Sequence, residues 1–236
     1  MLPCPAVDLT TCKLIAFDLD GTLYPSGIEI GKVVLVAHKD YMLQHNLDIP
    51  TPDLEWVKHL IGKDAKSFYR EMLPGQPPEV VQDFEDFCLD YERGVVARFP
   101  DLYPGAVEVL KALKACGRTL VLVTNGGPTY AKHVWDAAGL GKWLSARYPF
   151  EPPEYASKGD RLSRAVAEWG GGPAVMVGDR HSDKEAAEYA GAAYIAARYG
   201  FALDGELTGE EYVIDGITGL YNLLLTPEER QRCGIQ

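Results

Sequence analysis

The chain has 236 residues, 47% of them hydrophobic and 24% charged, which is the composition of a globular protein and excludes a disordered chain. Its formal net charge of −11 disfavours nucleic-acid and anionic-membrane partners, because both rely on lysine and arginine facing phosphates. The sequence has no apolar run of about 18 residues or more and no secretory signal pattern, so we expect no membrane span and a cytoplasmic location. The five scattered cysteines form no CxxC pair, and reduced thiols are expected.

The first predicted strand, KLIAF at residues 13–17, is followed by a long segment with helical patterns and no convincing strand. Four helices are predicted there: EIGKVVLVAHKDYMLQHN, PDLEWVKHLIG, DAKSFYREML and PPEVVQDFEDFCLDYERGVVARF. The stretch VVLVAH also fits a strand, which leaves that boundary open. The sequence therefore predicts a helical domain over residues 26–99, inserted into a core domain formed by residues 1–25 and 100–236.

Strand and helix patterns alternate in the rest of the chain. Helices are predicted at 104–117, 128–141, 157–170 and 182–192, and strands at 118–124, 172–178 and 192–197. This alternation predicts an α/β fold, in which helices cover a parallel sheet. Ligands of such sheets bind beyond the carboxyl ends of the strands.

Several polar residues lie just after predicted strands or at the start of a predicted helix, where the sheet edge would bring them together. They are Asp18, Asp20, Thr124, Asn125, Lys158, Asp179 and Asp183. Each also has an ordinary interpretation: the aspartates as turn or helix-capping residues, the Thr-Asn pair as a strand-end turn, and the lysine as a surface charge.

Four segments resemble, in order, the motifs of the haloacid dehalogenase superfamily: DLDGTLY at 18–24, VTNG at 123–126, the isolated Lys158, and GDRHSD at 178–183. The helical segment is similar to the C1 cap of that superfamily. The resemblance implies a Rossmann-like parallel sheet with an inserted helical cap. It also implies an Mg²⁺-dependent phosphatase that hydrolyses a small phosphate monoester through an aspartyl-phosphate intermediate. Phosphoglycolate phosphatases and β-phosphoglucomutases belong to the most similar subgroup.

The resemblance also implies residue roles. Asp18 would be the nucleophile and Asp20 the general acid and base, a role that favours phosphoryl chemistry because a halide leaving group needs no proton. Thr124, with Asn125 and Lys158, would bind the phosphoryl group. The Mg²⁺ ligands would be Asp18, Asp179, Asp183 and the backbone carbonyl of Asp20. Four aspartates and one lysine give the bare pocket a charge of about −3, which one Mg²⁺ would reduce to about −1.

Substrate contacts and alternative functions stay open in the sequence. Lys63 and Arg70 of the insert and Arg180 of the last motif are candidates for binding the substrate, a small phosphorylated metabolite, although solvated surface charges are the simpler interpretation of the insert residues. The alternatives are a sugar phosphomutase, a non-catalytic binding protein of the same fold, and a phosphonate hydrolase with a Schiff-base lysine. The physiological substrate and the oligomeric state are not encoded in the motifs.

Overall fold

A six-stranded parallel sheet forms the centre of the protein, in the computed structural model, which describes residues 8–153 and 157–235. The spatial order of its strands is β3-β2-β1-β4-β5-β6. The strands are β1 (Leu14–Phe17), β2 (Thr119–Val123), β3 (Ala146–Tyr148), β4 (Ala174–Gly178), β5 (Ala193–Ala197) and β6 (Val213–Ile214). The four predicted strands and the α/β class are confirmed. Strands β3 and β6 were not predicted, because segments of three and two residues carry too little pattern.

Strand β1 lies in the middle of the sheet, between β2 and β4, and all four of its residues are buried. Burial on both faces explains why its sequence is continuously apolar and does not alternate. Phe17 is in register with Leu122 on one side and Val177 on the other. The residues that follow these three strands therefore emerge at one edge of the sheet.

Helices cover both faces of the sheet. They are α5 (Ala106–Ala115), α6 (Pro128–Ala137), α7 (Lys158–Glu168), α8 (His181–Ala190), α9 (Leu220–Leu224) and α10 (Pro227–Arg232). The apolar side chains form two clusters, with Ile15 and Phe17 in one and Leu14 and Ala16 in the other. This division follows the strand period of two, which sends successive side chains of β1 to opposite faces.

Four helices lie between β1 and α5, as predicted: α1 (Gly27–His45), α2 (Leu54–Leu60), α3 (Ala65–Met72) and α4 (Pro78–Arg98). The ambiguous VVLVAH stretch is part of α1. Helix α1 packs against α4 through the buried rings of Tyr41 and Phe84, whose centroids are 5.1 Å apart. Helix α4 also packs against α6, which brings the insert over the carboxyl edge of the sheet. The division into two domains at residues 26 and 99 stays a prediction.

Two expectations from composition concern the chain as a whole. Within the described residues, no helix has the length and apolarity needed to cross a membrane. Cys12, Cys88, Cys116 and Cys233 are free thiols, and Cys4 lies outside the described residues.

Candidate active site

Three buried carboxylates meet at the carboxyl edge of the sheet. Asp18 follows β1, Asp179 follows β4, and Asp183 lies in the first turn of α8; their exposed fractions are 3%, 0% and 0%. One oxygen from each lies within 4.8 Å of the others. The parallel register of β1 and β4 accounts for this meeting of residues that are 161 to 165 positions apart in the sequence.

The turn after β1 is shaped so that Asp179 can approach it. Gly21 has a φ of +85°, and a Cβ placed there would lie 2.2 Å from Asp179 Oδ2. The approach leaves room for two hydrogen bonds to the Asp179 carboxylate. The Thr22 hydroxyl donates to Oδ1 at 3.2 Å and the Phe201 backbone N–H donates to Oδ2 at 2.6 Å. Glycine is therefore required at position 21 both by its backbone conformation and by the space available.

Lys158 is the first residue of α7, and a capping box between Ser157 and Asp160 fixes the start of that helix. Its ammonium nitrogen lies 2.5 Å from Asp18 Oδ1 and 2.5 Å from Asp183 Oδ1. Asp183 also accepts a hydrogen bond of 2.9 Å from the Arg180 backbone N–H through Oδ2. The helix-capping interpretation of Asp183 is thus correct, and the same carboxylate also pairs with Lys158.

Burial and like charge dominate the electrostatics of these groups. Burial raises the pKa of Asp18 to about 7; Lys158 opposes this rise, and the charges of Asp183 and Asp20 add to it. Burial also raises the pKa of Asp179 well above its usual value, with the charges of Asp18 and Asp183 acting in the same direction. Burial lowers the pKa of Lys158, but the two neighbouring aspartates outweigh it, so that the net shift is upward. One ammonium group does not neutralise three carboxylates.

The donor set of this cluster fits a hard divalent cation. Mg²⁺ takes oxygen ligands at about 2.0–2.1 Å in an octahedron, so opposite ligands are about 4.2 Å apart. The 4.8 Å span of the Asp18, Asp179 and Asp183 oxygens is close to that distance. A dication there would offset the burial and the like-charge repulsion that together raise the pKa values of Asp18 and Asp179. The carboxylate of Asp20 is not part of this cluster. The expectation that the backbone carbonyl of Asp20 binds the metal ion stays a prediction.

Asp20 and Thr124 lie beside Asp18 in the wall of a cavity of about 430 Å³. Tyr130, in the first turn of α6, donates a hydrogen bond of 2.6 Å to Asp20 Oδ1. Thr124 is 1% exposed, and its Oγ1 accepts a hydrogen bond of 3.0 Å from the Gly126 backbone N–H. A hydroxyl that accepts one hydrogen bond can still donate its own proton, so Thr124 can act as a donor toward a ligand in the cavity.

The insert forms the opposite wall of the cavity. The residues that line it there include Ile30, Ile61, Gly62, Lys63, Lys66, Phe68, Tyr69, Glu85, Leu89 and Glu92. The combination of apolar side chains with a few convergent polar groups, next to three buried carboxylates, is typical of a small-molecule site. A volume of this size suits a small metabolite.

Residues 61–65, which we call the docking loop, connect the insert to the sheet edge. The side-chain Nδ2 of Asn125 donates to the Gly62 carbonyl at 2.9 Å, and the backbone carbonyl of Asn125 accepts from the Ala65 N–H at 3.1 Å. Arg180 donates to the Ile61 carbonyl and pairs with Glu206 at 3.0 Å. Asn125 lines the cavity, whereas Arg180 is not among the lining residues. Within the described residues, both side chains thus hold the docking loop.

Lys63 and Arg70, the two candidates in the insert for binding the substrate, differ in whether they reach the cavity. Lys63 lines the cavity but pairs with both carboxylate oxygens of Glu71, at 2.8 and 2.9 Å. Arg70 is exposed on α3 and does not line the cavity. Their roles in substrate binding stay predictions, and the position of Arg70 gives it no direct route to the cavity.

Two cavity residues were missed by the sequence reasoning. Tyr130 lies only five residues beyond Asn125, so the short distance from the second motif was an available signal. Glu92 is 3% exposed and accepts a hydrogen bond of 3.0 Å from Tyr69. It follows Phe84 and Cys88 at intervals of four residues, so a carboxylate within an apolar helical stripe was the signal there.

Comparisons with known proteins point to the same class of protein as the geometry of the site does. The family model of haloacid dehalogenase-like hydrolases matches residues 12–191. The phosphoglycolate phosphatase of Chromobacterium violaceum is 28% identical over 227 residues, covering 92% of this chain and 99% of that protein. The phosphoglycolate phosphatase of Pseudomonas syringae pathovar tomato is 32% identical over 202 residues, covering 80% of this chain and 70% of its own length.

Solved structures show the same fold. A predicted phosphoglycolate phosphatase from Haemophilus somnus has a TM-score of 0.75 at 23% identity, covering 89% of this chain and 97% of its own. A predicted phosphatase from Clostridium acetobutylicum has a TM-score of 0.73 at 24% identity, with the same coverage. The chain belongs to the haloacid dehalogenase-like hydrolase family. The predictions of a hydrolase of this superfamily and of a phosphatase are thereby confirmed.

Proposed function

We propose that the protein is an Mg²⁺-dependent phosphatase that hydrolyses a small phosphate monoester through a phosphorylated Asp18. The observation that carries this proposal is the position of Asp18. Its carboxylate lines the cavity, belongs to the cluster of three carboxylates, and contacts Lys158 at 2.5 Å. A nucleophile needs access to the substrate, a neighbouring cation and a fixed position, and Asp18 has all three.

Asp18, Asp179 and Asp183 would hold the metal ion. Bound there, Mg²⁺ would supply positive charge to the phosphoryl oxygens and so lower the repulsion between the substrate and the nucleophile. Lys158 contributes a second positive charge to Asp18 and is itself held by Asp183. Thr22 and the Phe201 N–H orient Asp179, which keeps the ligand set rigid before the substrate arrives.

The reaction would proceed in two displacements. In the first, a carboxylate oxygen of Asp18 forms a bond to phosphorus, the bond to the leaving oxygen breaks, and Asp20 gives that oxygen a proton. In the second, Asp20 takes a proton from water, the water oxygen bonds to phosphorus, and the bond to Asp18 breaks. The hydroxyl of Thr124 donates a hydrogen bond to a phosphoryl oxygen throughout.

The helical insert would act as a cap that opens for substrate entry and closes during the reaction. The observation that supports this role is the docking loop, which contacts the sheet edge through Asn125 and Arg180. Closure of this kind excludes bulk water from the phosphorylated carboxylate. The cavity under the insert, of about 430 Å³, favours a small metabolite as the substrate. The names of the relatives make 2-phosphoglycolate the first compound to test.

The experiment is a measurement of inorganic phosphate release from a panel of phosphate monoesters, with Mg²⁺ and with EDTA. We expect release with Mg²⁺, none with EDTA, and none from the Asp18→Asn variant. Asp204→Asn, at an exposed aspartate outside the cavity, is the matched control and should keep wild-type turnover. Full turnover by Asp18→Asn would disprove the mechanism, and an isomerised sugar phosphate in place of free phosphate would identify a mutase.

A further inference from the structure

Tyr130 contacts Asp20, the residue that the proposed reaction uses as general acid and base. It is 8% exposed, in the first turn of α6, directly after the loop that carries Thr124. A Cβ at Gly126 would lie 2.9 Å from Tyr130 Cδ1, so the aromatic ring packs closely on that loop. Its orientation is therefore fixed by packing before any ligand binds.

The hydroxyl of Tyr130 meets one particular oxygen of Asp20. It donates to Oδ1 at 2.6 Å, while Asp20 and Tyr130 both line the cavity. A phenol stays protonated at neutral pH, so it can act only as a donor toward a carboxylate. A carboxyl group that accepts a hydrogen bond on Oδ1 carries its own proton on Oδ2.

This arrangement determines where the acid proton is. A carboxyl side chain without such a partner can rotate about its last torsion and exchange the roles of its two oxygens. With Oδ1 engaged by Tyr130, the proton that is given to the leaving oxygen stays on Oδ2. The same oxygen then takes the proton from water in the second displacement. Both transfers use one fixed atom.

We propose that Tyr130 is a positioning residue that holds Asp20 in the orientation needed for general acid and base catalysis. The proposal rests on the proposed phosphatase function. General acid–base catalysis contributes about 10²- to 10⁴-fold to a rate, and a misoriented acid loses part of that factor. Removal of the Tyr130 hydroxyl should therefore slow the reaction without removing the nucleophile, the lysine or the metal ligands.

The test compares two kinds of substrate in the Tyr130→Phe variant. An alkyl phosphate releases an alkoxide that needs a proton, whereas p-nitrophenyl phosphate releases a stable phenolate that needs none. The alkyl phosphate is whichever of 2-phosphoglycolate, glycerol phosphate and glucose 6-phosphate the wild type hydrolyses fastest. We expect kcat/KM for the alkyl phosphate to fall about 10- to 100-fold. For p-nitrophenyl phosphate it should change less than about threefold, because kcat/KM reports events up to leaving-group departure.

Tyr41→Phe is the matched control. Tyr41 is 1% exposed and donates to Asp83 at 2.7 Å, a tyrosine–aspartate pair of similar length away from the cavity. Its removal should leave the ratio of the two kcat/KM values unchanged. If Tyr130→Phe does not fold, Tyr130→Met serves in its place, because its flexible apolar side chain can fill the space without a hydroxyl and should show the same selective loss on the alkyl phosphate.

The outcomes separate the two proposals. A wild type that hydrolyses neither kind of substrate contradicts the phosphatase function itself. If the wild type hydrolyses both and Tyr130→Phe loses activity equally on both, Tyr130 is merely structural. No loss on either substrate also overturns the positioning role. In the Asp20→Asn background, Tyr130→Phe should produce no further fall on the alkyl phosphate, and an additive fall would contradict the coupling.

Discussion

Glu92 is a buried carboxylate on α4 that lines the cavity but is not part of the cluster of three aspartates. Burial raises its pKa to about 7, against the opposing effect of the Tyr69 hydrogen bond; the charges of Asp20 and Glu85 add to the rise. In the unfolded chain the pKa of a glutamate is about 4.3–4.5. The folded protein therefore binds a proton at Glu92 more tightly than the unfolded chain does.

The sign of the pH effect follows from this difference. Between pH 4.5 and 7 the folded state holds more protons at this site, so the free energy of unfolding falls as the pH rises. One pKa unit corresponds to about 1.4 kcal/mol, which gives a total of about 3 kcal/mol for the shift to about 7. About 2–3 kcal/mol of this is lost between pH 5 and pH 8. Glu92 is 3% exposed, so solvent screening does not reduce the figure greatly.

The Glu92→Gln variant removes the titration and keeps an oxygen that can accept from Tyr69. We expect the stability of the variant relative to wild type to increase by about 2–3 kcal/mol between pH 5 and pH 8. The assay is urea unfolding followed by circular dichroism at four pH values, with EDTA present so that metal binding does not contribute. Asp90→Asn, at a side chain 76% exposed on the same helix, is the control for removing a carboxylate from the surface of α4. A Glu92→Gln difference that is flat to within about 0.5 kcal/mol would refute this account.

Three other outcomes are expected. Lys158→Met should abolish phosphate release and lower metal-free stability by about 3–5 kcal/mol, because its two aspartate partners stay buried without it; wild-type stability in urea would contradict this. Gly200→Ala places a Cβ 2.4 Å from the Gly21 carbonyl oxygen and should cost at least about 1–3 kcal/mol, whereas Gly216→Ala, with nothing within 4 Å, should leave the melting temperature nearly unchanged. The Cys116 and Cys233 sulfurs are 3.5 Å apart, so a mild thiol oxidant should remove two free thiols from the wild type by thiol titration, and Cys116→Ser should prevent this loss.

The meeting of Asp18 with Asp179 could be predicted from the sequence because it depends on strand direction alone. Both follow fully buried apolar strands, and parallel strands that are neighbours end at the same edge. The four helices of the insert were predictable for a similar reason, since proline and glycine separate their periodic patterns. A single sequence therefore best predicts long elements with a strong hydrophobic periodicity, and the residues that directly follow them.

Contacts between elements were harder to predict. Glu92 occupies a buried position in the stripe of Phe84, Cys88 and Val96, and nothing in the local sequence shows that Tyr69 of another helix satisfies it. Arg180 was a candidate for binding the substrate, and the structure shows it in contact with Ile61 and Glu206, which lie far from it in the sequence. Such partners depend on how α4 and the docking loop lie against the sheet, and periodicity carries no information about that placement.

The docking loop is held through main-chain atoms: the carbonyl oxygens of Ile61 and Gly62 and the N–H of Ala65. A contact with a carbonyl oxygen or an N–H persists when the side chain on that residue is replaced. The side chain at position 63, which lines the cavity, can therefore diverge during evolution without releasing the loop from the sheet edge. A new substrate preference could arise there by single substitutions, while the reacting carboxylates keep their positions.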